Sequence, residues 1–179
     1  MAKLRKFSGY KALERPYTRK SKFRAKSFVR AVPVNKIIRF DMGNKTKIFP
    51  YMLELRVSRP IQIRHNAIES ARQSSNRIME KQAGKMEYHM KIRKYPHHMM
   101  RENPLASGAG ADRMSTGMKA SFGKVIGIAA QYKEKDIVMS IGVEKKNIDL
   151  AKVDLTRARN KLPCGASIVI VEQLELATN

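Results

Sequence analysis

The chain has 179 residues, enough for one compact domain with a hydrophobic core and an extended arm or long loop. Its 37 Lys and Arg residues exceed its 15 Asp and Glu residues, and the net charge of +22 favours a polyanionic partner such as nucleic acid. The single cysteine excludes an internal disulfide and a Cys-rich zinc site. We expect an intracellular, cytoplasmic protein with no membrane partner, because the sequence lacks a secretory signal, a bilayer-spanning apolar run, a basic amphipathic helix and a lipidation signal.

The positive charge is concentrated towards the N-terminus. Residues 1–50 carry a net charge of +13, residues 51–130 carry +8, and residues 131–179 carry +1. Six aromatic residues are interleaved with the first cations, and aromatic rings can stack on bases while Lys and Arg pair with phosphates. We predict that Ala2 to Asn35 form an irregular arm that becomes ordered on RNA. The alternative is that these aromatic side chains pack onto the domain as a flap.

The basic side chains of this arm are the first candidate RNA ligands. Two cations of a predicted strand in the body are added to them, because alternation turns both to its polar face. The predicted RNA-binding residues are Lys3, Arg5, Lys6, Arg15, Arg19, Lys20, Lys22, Arg24, Lys26, Arg30, Lys91 and Arg93. We expect them to bind phosphates, which gives affinity with little sequence readout.

Apolar and polar residues alternate from Leu53 to Ile63. The same parity continues past Pro60, which predicts one half-buried strand, bent at the proline. A second alternation from Tyr88 to Tyr95 predicts another strand.

Helical spacing follows the first of these strands. Asn66 is the expected N-cap and Gly84 the expected stop. The residues at helical spacing are Ile68, Ala71, Ser75, Ile78, Met79 and Gln82.

The last third of the chain predicts two strands, a helix and a short final strand. Val125 to Tyr132 and Ile137 to Val143 are joined by the polar turn Lys133 to Asp136, which indicates a hairpin. Asn147 can cap a helix that Pro163 ends, and Ile168 to Val171 form the closing strand. The apolar stripe of that helix is Ala151, Leu155, Ala158 and Leu162. Strands and helices without regular βαβ alternation predict an α+β fold, an α/β sandwich with two main helices packed on a mostly antiparallel sheet.

A glycine-rich loop is expected at residues 101–124, within a single domain that spans residues 1–179. The domain divides into the arm (1–36) and the α/β body (37–179). Gly108 and Gly110 begin a dinucleotide-binding pattern, but Arg113 stands where the third glycine is required. The stretch from Gly117 to Lys124 is one residue too long for a P-loop and is followed by valine instead of Ser or Thr. A nucleotide cofactor is therefore not expected.

The sequence of this loop resembles the signature of the large-subunit ribosomal proteins called L-ten-e in archaea and eukaryotes, whose bacterial counterpart is L-sixteen. The residues that carry the resemblance are Ser107-Gly108-Ala109-Gly110-Ala111-Asp112-Arg113, Thr116-Gly117-Met118-Lys119 and Phe122-Gly123-Lys124. The order of elements and the basic, aromatic start also fit, so the resemblance covers nearly the whole chain. Lys119-Ala120-Ser121 and Asn103-Pro104-Leu105-Ala106 depart from the family pattern, which bears on the fine conformation of the loop. The end at Asn179, without the tail of eukaryotic members, favours an archaeal source.

The resemblance implies a structural constituent of the large ribosomal subunit with no catalytic residue and no cofactor. Its partners would be large-subunit ribosomal RNA, neighbouring ribosomal proteins and the tRNA acceptor arm, and it would help to position tRNA near the A site and the peptidyl transferase centre. Arg113 and Lys119 would be the best phosphate partners in the loop. The predicted tRNA-proximal residues are Arg101, Ser107, Gly108, Gly110, Asp112, Arg113, Gly117, Lys119 and Lys124.

Two other function classes are weighed against this interpretation. The first is a free-standing RNA-binding factor in RNA processing or translation control. The second is an RNA-modifying or RNA-cleaving enzyme, which would need an acid/base pair or a cofactor loop, and the sequence has neither pattern. The four histidines lack the spacing of metal ligands, so no metal site is expected.

Overall fold

The computed structural model describes residues 6–18, 23, 25, 29, 32–102, 108–110 and 123–172. The strands are β1 (Asp41–Gly43), β2 (Tyr51–Val57), β3 (Ile61–Arg64), β4 (Tyr88–Ile92), β5 (His98–Glu102), β6 (Lys124–Tyr132), β7 (Ile137–Val143) and β8 (Ala166–Glu172). The helices are α1 (His65–Gln82) and α2 (Ile148–Arg159), and short 3-10 turns lie at Phe7–Gly9 and Lys145–Asn147.

The strands form two antiparallel sheets. The large sheet has the strand order β1-β4-β7-β2-β8, and the small sheet has the order β3-β6-β5. Helices α1 and α2 pack against each other and against strands of these sheets. The predicted α+β architecture, with two helices packed on antiparallel sheet, is confirmed.

The main core lies between the two helices and the large sheet. Alternation along β2 places Leu53, Leu55 and Val57 on the buried face. The predicted stripe of α2 is buried as well, including Leu155, which is fully inaccessible. Burying one such leucine contributes about 1.5–3 kcal/mol, so this layer provides much of the stability of the fold.

One polar contact is enclosed between the two helices. The Ser75 hydroxyl on α1 donates a hydrogen bond to the Asp154 carboxylate on α2, and both side chains are buried. Burial raises the pKa of Asp154 to about 7, although the bond from Ser75 acts in the opposite direction. This pair is closed off within the helix interface and offers no access to a substrate.

Two predictions of strand connectivity are wrong. Leu53 to Ile63 is not one bent strand, because the chain leaves the large sheet after Val57 and enters the small sheet at Ile61. The two strands around Lys133 to Asp136 do not pair as a hairpin, because β6 belongs to the small sheet and β7 to the large one. The turn between them bonds to the end of β2 instead: Val57 accepts from the Lys135 N–H and donates to the Asp136 carbonyl.

The helix ends also differ from the predictions. Helix α1 begins at His65, one residue before the predicted cap Asn66, whereas Gly84 follows its end as expected and has a φ of +90°. Asn147 does precede α2, but its side chain makes no capping hydrogen bond. Helix α2 ends at Arg159, before Pro163, and Gln82 is exposed at the end of α1.

Candidate nucleic-acid interface

Residues 10–17 cross the small sheet, and we call this segment the strap. Its backbone contacts each of the three strands in turn. Gln62 on β3 donates to the Tyr10 carbonyl at 2.6 Å, and Gln131 on β6 donates to the Glu14 carbonyl at 2.8 Å. At the outer edge of β5, His98 Nδ1 accepts a hydrogen bond from the Tyr17 N–H at 3.0 Å.

The strand register explains why these side chains reach the strap. Gln62 is paired with Gln131, and His98 is paired with Ala129, so all of them lie on one face of the small sheet. Tyr10 packs on the same face, in a cluster with Met100 and Ala129.

The N-terminal region also reaches the opposite face of the small sheet. Val29 is buried there against Met99 and Ile128, with Tyr17 partly buried beside them. Of the predicted arm aromatics in the described residues, Phe7, Tyr10 and Tyr17 therefore pack onto the body, as the flap alternative expected, whereas the Phe23 side chain is 67% exposed.

A second anchor holds residues 36–38 on the first turns of α1. His65 Nδ1 accepts a hydrogen bond from the Lys36 N–H at 3.3 Å. One turn further along, Glu69 accepts from the Ile38 N–H at 3.4 Å while its carboxylate is held by Arg72. The basic stretch between Tyr17 and Lys36 is thus fixed to the body at both of its ends.

The electrostatics of the two histidines match their role as acceptors. Burial lowers the pKa of His98, helped by Arg101 and opposed by Glu14. Burial also lowers the pKa of His65, with Lys36 and Arg64 adding to the effect. Both imidazoles are therefore neutral near pH 7, which leaves Nδ1 free to accept a hydrogen bond.

Only part of the predicted RNA-binding set falls within the described residues. Lys6 and Arg15 are exposed there, at the start of the chain and within the strap. Lys3, Arg5, Arg19, Lys20, Lys22, Arg24, Lys26 and Arg30 lie outside the described residues.

Lys91 and Arg93 lie at the face of the large sheet that points away from the helices. Lys91 Nζ is 3.6 Å from the Asp41 carboxylate on the neighbouring strand. The Arg93 guanidinium crosses two further strands, donating to Ser140 Oγ at 2.8 Å and contacting Met52 Sδ at 3.1 Å. Both side chains remain exposed, so both stay accessible to a phosphate.

The base of the glycine-rich loop is formed by the ends of β5 and β6. Glu102 is paired with Lys124, so the loop starts and finishes at adjacent positions in the small sheet. The Arg101 guanidinium lies 3.9 Å from the centre of the Tyr17 ring and joins the loop base to the strap. Gly108 and Gly110 are exposed, whereas Ser107, Asp112, Arg113, Gly117 and Lys119 lie outside the described residues.

A further set of cations was missed by sequence reasoning. Arg39, Lys45 and Lys85 line one groove beside β1, and all three are exposed. Their grouping depends on β1, a three-residue strand that is too short to produce a readable alternation. Only the local richness in basic residues could have indicated this surface.

The described residues give no sign of a metal centre or of a membrane segment. No group of three His, Cys, Asp or Glu side chains among them is arranged to hold a metal ion. None of the helices in this part of the chain combines the length and the hydropathy needed to cross a bilayer.

Comparisons with known proteins point to one family. Residues 13–169 match the family model described as Ribosomal protein L16p/L10e. The Large ribosomal subunit protein uL16 of Methanococcus aeolicus is 42% identical over 177 residues, which cover 98% of this chain and 99% of that protein. The proteins of the same name from Archaeoglobus fulgidus (42% identical, covering 93% of this chain and 92% of that protein) and Methanoculleus marisnigri (44% identical, covering 84% and 88%) are also similar.

Proposed function

Because this chain belongs to the ribosomal protein L16p/L10e family, we propose that it binds large-subunit ribosomal RNA through its N-terminal cations and helps to position tRNA through its glycine-rich loop. Family membership makes it a structural constituent of the large ribosomal subunit in the cytoplasm and not an enzyme. Ribosomal RNA and neighbouring ribosomal proteins are its partners. Membership also favours this function over that of a free-standing RNA-binding factor.

The two-ended anchoring of the basic arm is the observation that carries the RNA-binding part of the proposal. Backbone bonds to His98 and His65 fix positions 17 and 36, and six predicted RNA ligands lie between these positions in the sequence. A segment fixed at both ends loses less conformational entropy on binding than a free tail does. We therefore expect the anchored segment to bind phosphates at a lower entropic cost than a free tail with the same cations.

Neutralising the arm tests this role. The change of Lys20, Lys22, Arg24 and Lys26 to Gln should weaken incorporation into large subunits and flatten its dependence on salt, because fewer counterions are released. Incorporation is measured by co-sedimentation of the tagged chain with subunits across a salt series. The matched control removes four exposed charges elsewhere: Lys135, Lys145, Arg159 and Lys161. Equal salt slopes for the two variants would remove the arm from the anchoring role.

The tRNA-positioning part of the proposal rests on the family signature and on the loop base. We expect residues 107–119 to lie near the tRNA acceptor arm, with Arg113 and Lys119 binding phosphate. Arg113→Ala should therefore leave subunit assembly intact and weaken aminoacyl-tRNA binding to the A site, measured by filter retention on purified ribosomes. Lys135→Ala is the control, because this residue is exposed in the turn between the two sheets. Loss of assembly in the Arg113 variant would contradict a role confined to tRNA.

A further inference from the structure

We propose that the groove beside β1, lined by Arg39, Lys45 and Lys85, binds the sugar–phosphate backbone of large-subunit ribosomal RNA. This site rests on the proposed RNA-binding function, and it adds to the predicted arm a second surface, which lies on the body. We call it the β1 groove.

The first argument is the pairing state of the cations. Around the groove, Lys47, Lys91 and Lys146 each have a carboxylate within 4 Å. By contrast, the three cations of the β1 groove form no ion pair with any described residue, although all three are exposed. Three unpaired positive charges around one groove leave a local excess that an anionic partner can neutralise.

The acidic residue that lines the same groove already has a cationic partner. Asp41 is on β1, and its carboxylate lies 3.5 Å from His89 Nε2 and 3.6 Å from Lys91 Nζ. The repulsion that this carboxylate would exert on a phosphate is therefore reduced by the neighbouring strand.

The second argument is the outer edge of the large sheet, where no described strand pairs with the far side of β1. The Phe40 carbonyl and the Asn44 N–H bond to β4, so the backbone groups of Asp41 and Gly43 between them point away from the sheet. No described residue accepts a hydrogen bond from these two N–H groups. They can donate to phosphate oxygens alongside the three cations.

Two glycines take a positive φ next to residues that line the groove. Gly43 has a φ of +81°, and a Cβ at this position would lie 2.1 Å from the Tyr88 carbonyl oxygen. Gly84 has a φ of +90° and ends α1, so that Lys85 follows directly after the turn. Lys45 follows Gly43 by two residues and Lys85 follows Gly84 directly, and both lysines line the same groove.

The competing explanation is protection of an edge strand. Basic side chains on an exposed edge discourage pairing with another sheet, and this role needs no RNA. It predicts that removing the charges causes self-association of the protein and leaves the affinity for RNA unchanged.

The experiment measures the salt dependence of binding between the full-length chain and purified large-subunit ribosomal RNA. The groove variant carries Arg39→Gln, Lys45→Gln and Lys85→Gln, and the control carries Lys135→Gln, Arg159→Gln and Lys161→Gln. A plot of the logarithm of the binding constant against the logarithm of the salt concentration has a negative slope. Loss of three phosphate contacts should make this slope shallower by about 2–3, because each contact contributes roughly 0.7–0.9. The control should change it by less than about 1.

Equal slopes for the two variants, or self-association of the groove variant with unchanged RNA binding, would overturn the β1 groove as an RNA site. Failure of the proposed function itself would look different, because the unaltered chain would then bind the RNA without a steep salt dependence. All substitutions in both variants are at exposed side chains, and thermal unfolding checks that each variant remains folded.

Lysine labelling provides a measurement that needs no variant. In intact large subunits, Lys45 and Lys85 should react with an amine-acetylating reagent several-fold more slowly than in the isolated chain. Ribonuclease digestion of the subunits should restore their reactivity. Unprotected lysines, or protection that survives digestion because a protein covers them, would each contradict the proposal.

Discussion

The large and small sheets differ in what holds their covering segments in place. On the large sheet, α2 packs through apolar side chains such as Leu155, and the core there is continuous. On one face of the small sheet, the strap backbone accepts hydrogen bonds from Gln62 and Gln131 and donates one to His98. The first arrangement depends mainly on buried area, whereas the second combines the packing of Tyr10 with a few matched hydrogen bonds.

This difference has consequences for both stability and function. Apolar burial is non-directional and roughly proportional to the area removed from water, so it stabilises the body as a whole. A strap held by single hydrogen bonds, each worth about 0.5–1.5 kcal/mol, can open locally while the body remains intact. The part of the molecule that we propose to meet RNA is therefore joined to the body by its weaker set of contacts.

The largest expected effect concerns the apolar layer of the large sheet. Leu155→Ala should lower the free energy of unfolding by about 2–5 kcal/mol, because it removes fully buried methyl groups and leaves a cavity. The measurement is denaturant unfolding followed by circular dichroism. Val153→Ala on the same helix is the control, since Val153 is 52% exposed and should cost well under about 1 kcal/mol. Equal losses in the two variants would contradict the placement of the core.

The second prediction concerns the pH dependence of stability at the interface between the two helices, which differs from the pH dependence expected for the strap. The folded pKa of Asp154, about 7, lies above its unfolded value, so the folded state keeps a proton that the unfolded state releases. The contribution of Asp154 to stability is therefore present below the unfolded pKa and is lost as pH rises towards 7. Relative to Asp154→Asn, the unaltered chain should lose up to about 1.4 kcal/mol per pH unit in this window.

Denaturant unfolding at several pH values tests this dependence. Asp149→Asn is the matched control, because the Asp149 side chain lies on the same helix and is 93% exposed. The difference in unfolding free energy between the variant and the unaltered chain should change more steeply with pH for Asp154→Asn than for Asp149→Asn. A difference for Asp154→Asn that does not change with pH would show that the buried carboxyl does not hold its proton.

Sequence patterns predicted the large-sheet layer well for a physical reason. Burial on one side of a strand or helix leaves a period in the sequence, as in Leu53, Leu55 and Val57 or in the stripe of α2. The choice of which strands pair with each other leaves no such period in the sequence. Lys133 to Asp136 has the polar residues typical of a hairpin turn. The turn nevertheless bonds to Val57, and the chain passes there from the small sheet to the large one.

The polar contacts of the strap could not have been predicted from the sequence. His97 and His98 are adjacent and identical in type, but His97 is exposed whereas His98 is buried as an acceptor for Tyr17. Which of the two side chains is buried depends on β5, because the strap lies along the outer edge of that strand. The sequence around β5 shows no alternation of apolar and polar residues from which the strand could have been predicted. The β1 groove was missed for the same reason, because a three-residue strand brings its cations together.

The smallest predicted effect concerns His98 and the stability of the strap on the small sheet. His98→Leu removes the acceptor of the Tyr17 N–H and should destabilise the docked strap by about 1–3 kcal/mol. The range expected for Leu155→Ala, about 2–5 kcal/mol, is higher. The change should also be local. Hydrogen exchange at the amides of Tyr17 and Met99 should accelerate, because the Met99 N–H donates to the Tyr17 carbonyl, while the amides of β7 keep their protection.

Lowering the pH should release the strap as His98→Leu does. This pH dependence has the opposite sign to that of Asp154, whose contribution to stability is lost as the pH rises. Since burial holds the folded pKa of His98 below the unfolded value, protonation favours release of the strap, and its contacts weaken as pH falls below about 6.5. After correction for intrinsic exchange, the Tyr17 amide should lose protection between pH 7 and 5 in the unaltered chain and in His97→Leu. In His98→Leu the remaining protection should be independent of pH. If the amides of the large sheet lose protection together with the strap, the two regions unfold as one unit and the contrast between them is wrong.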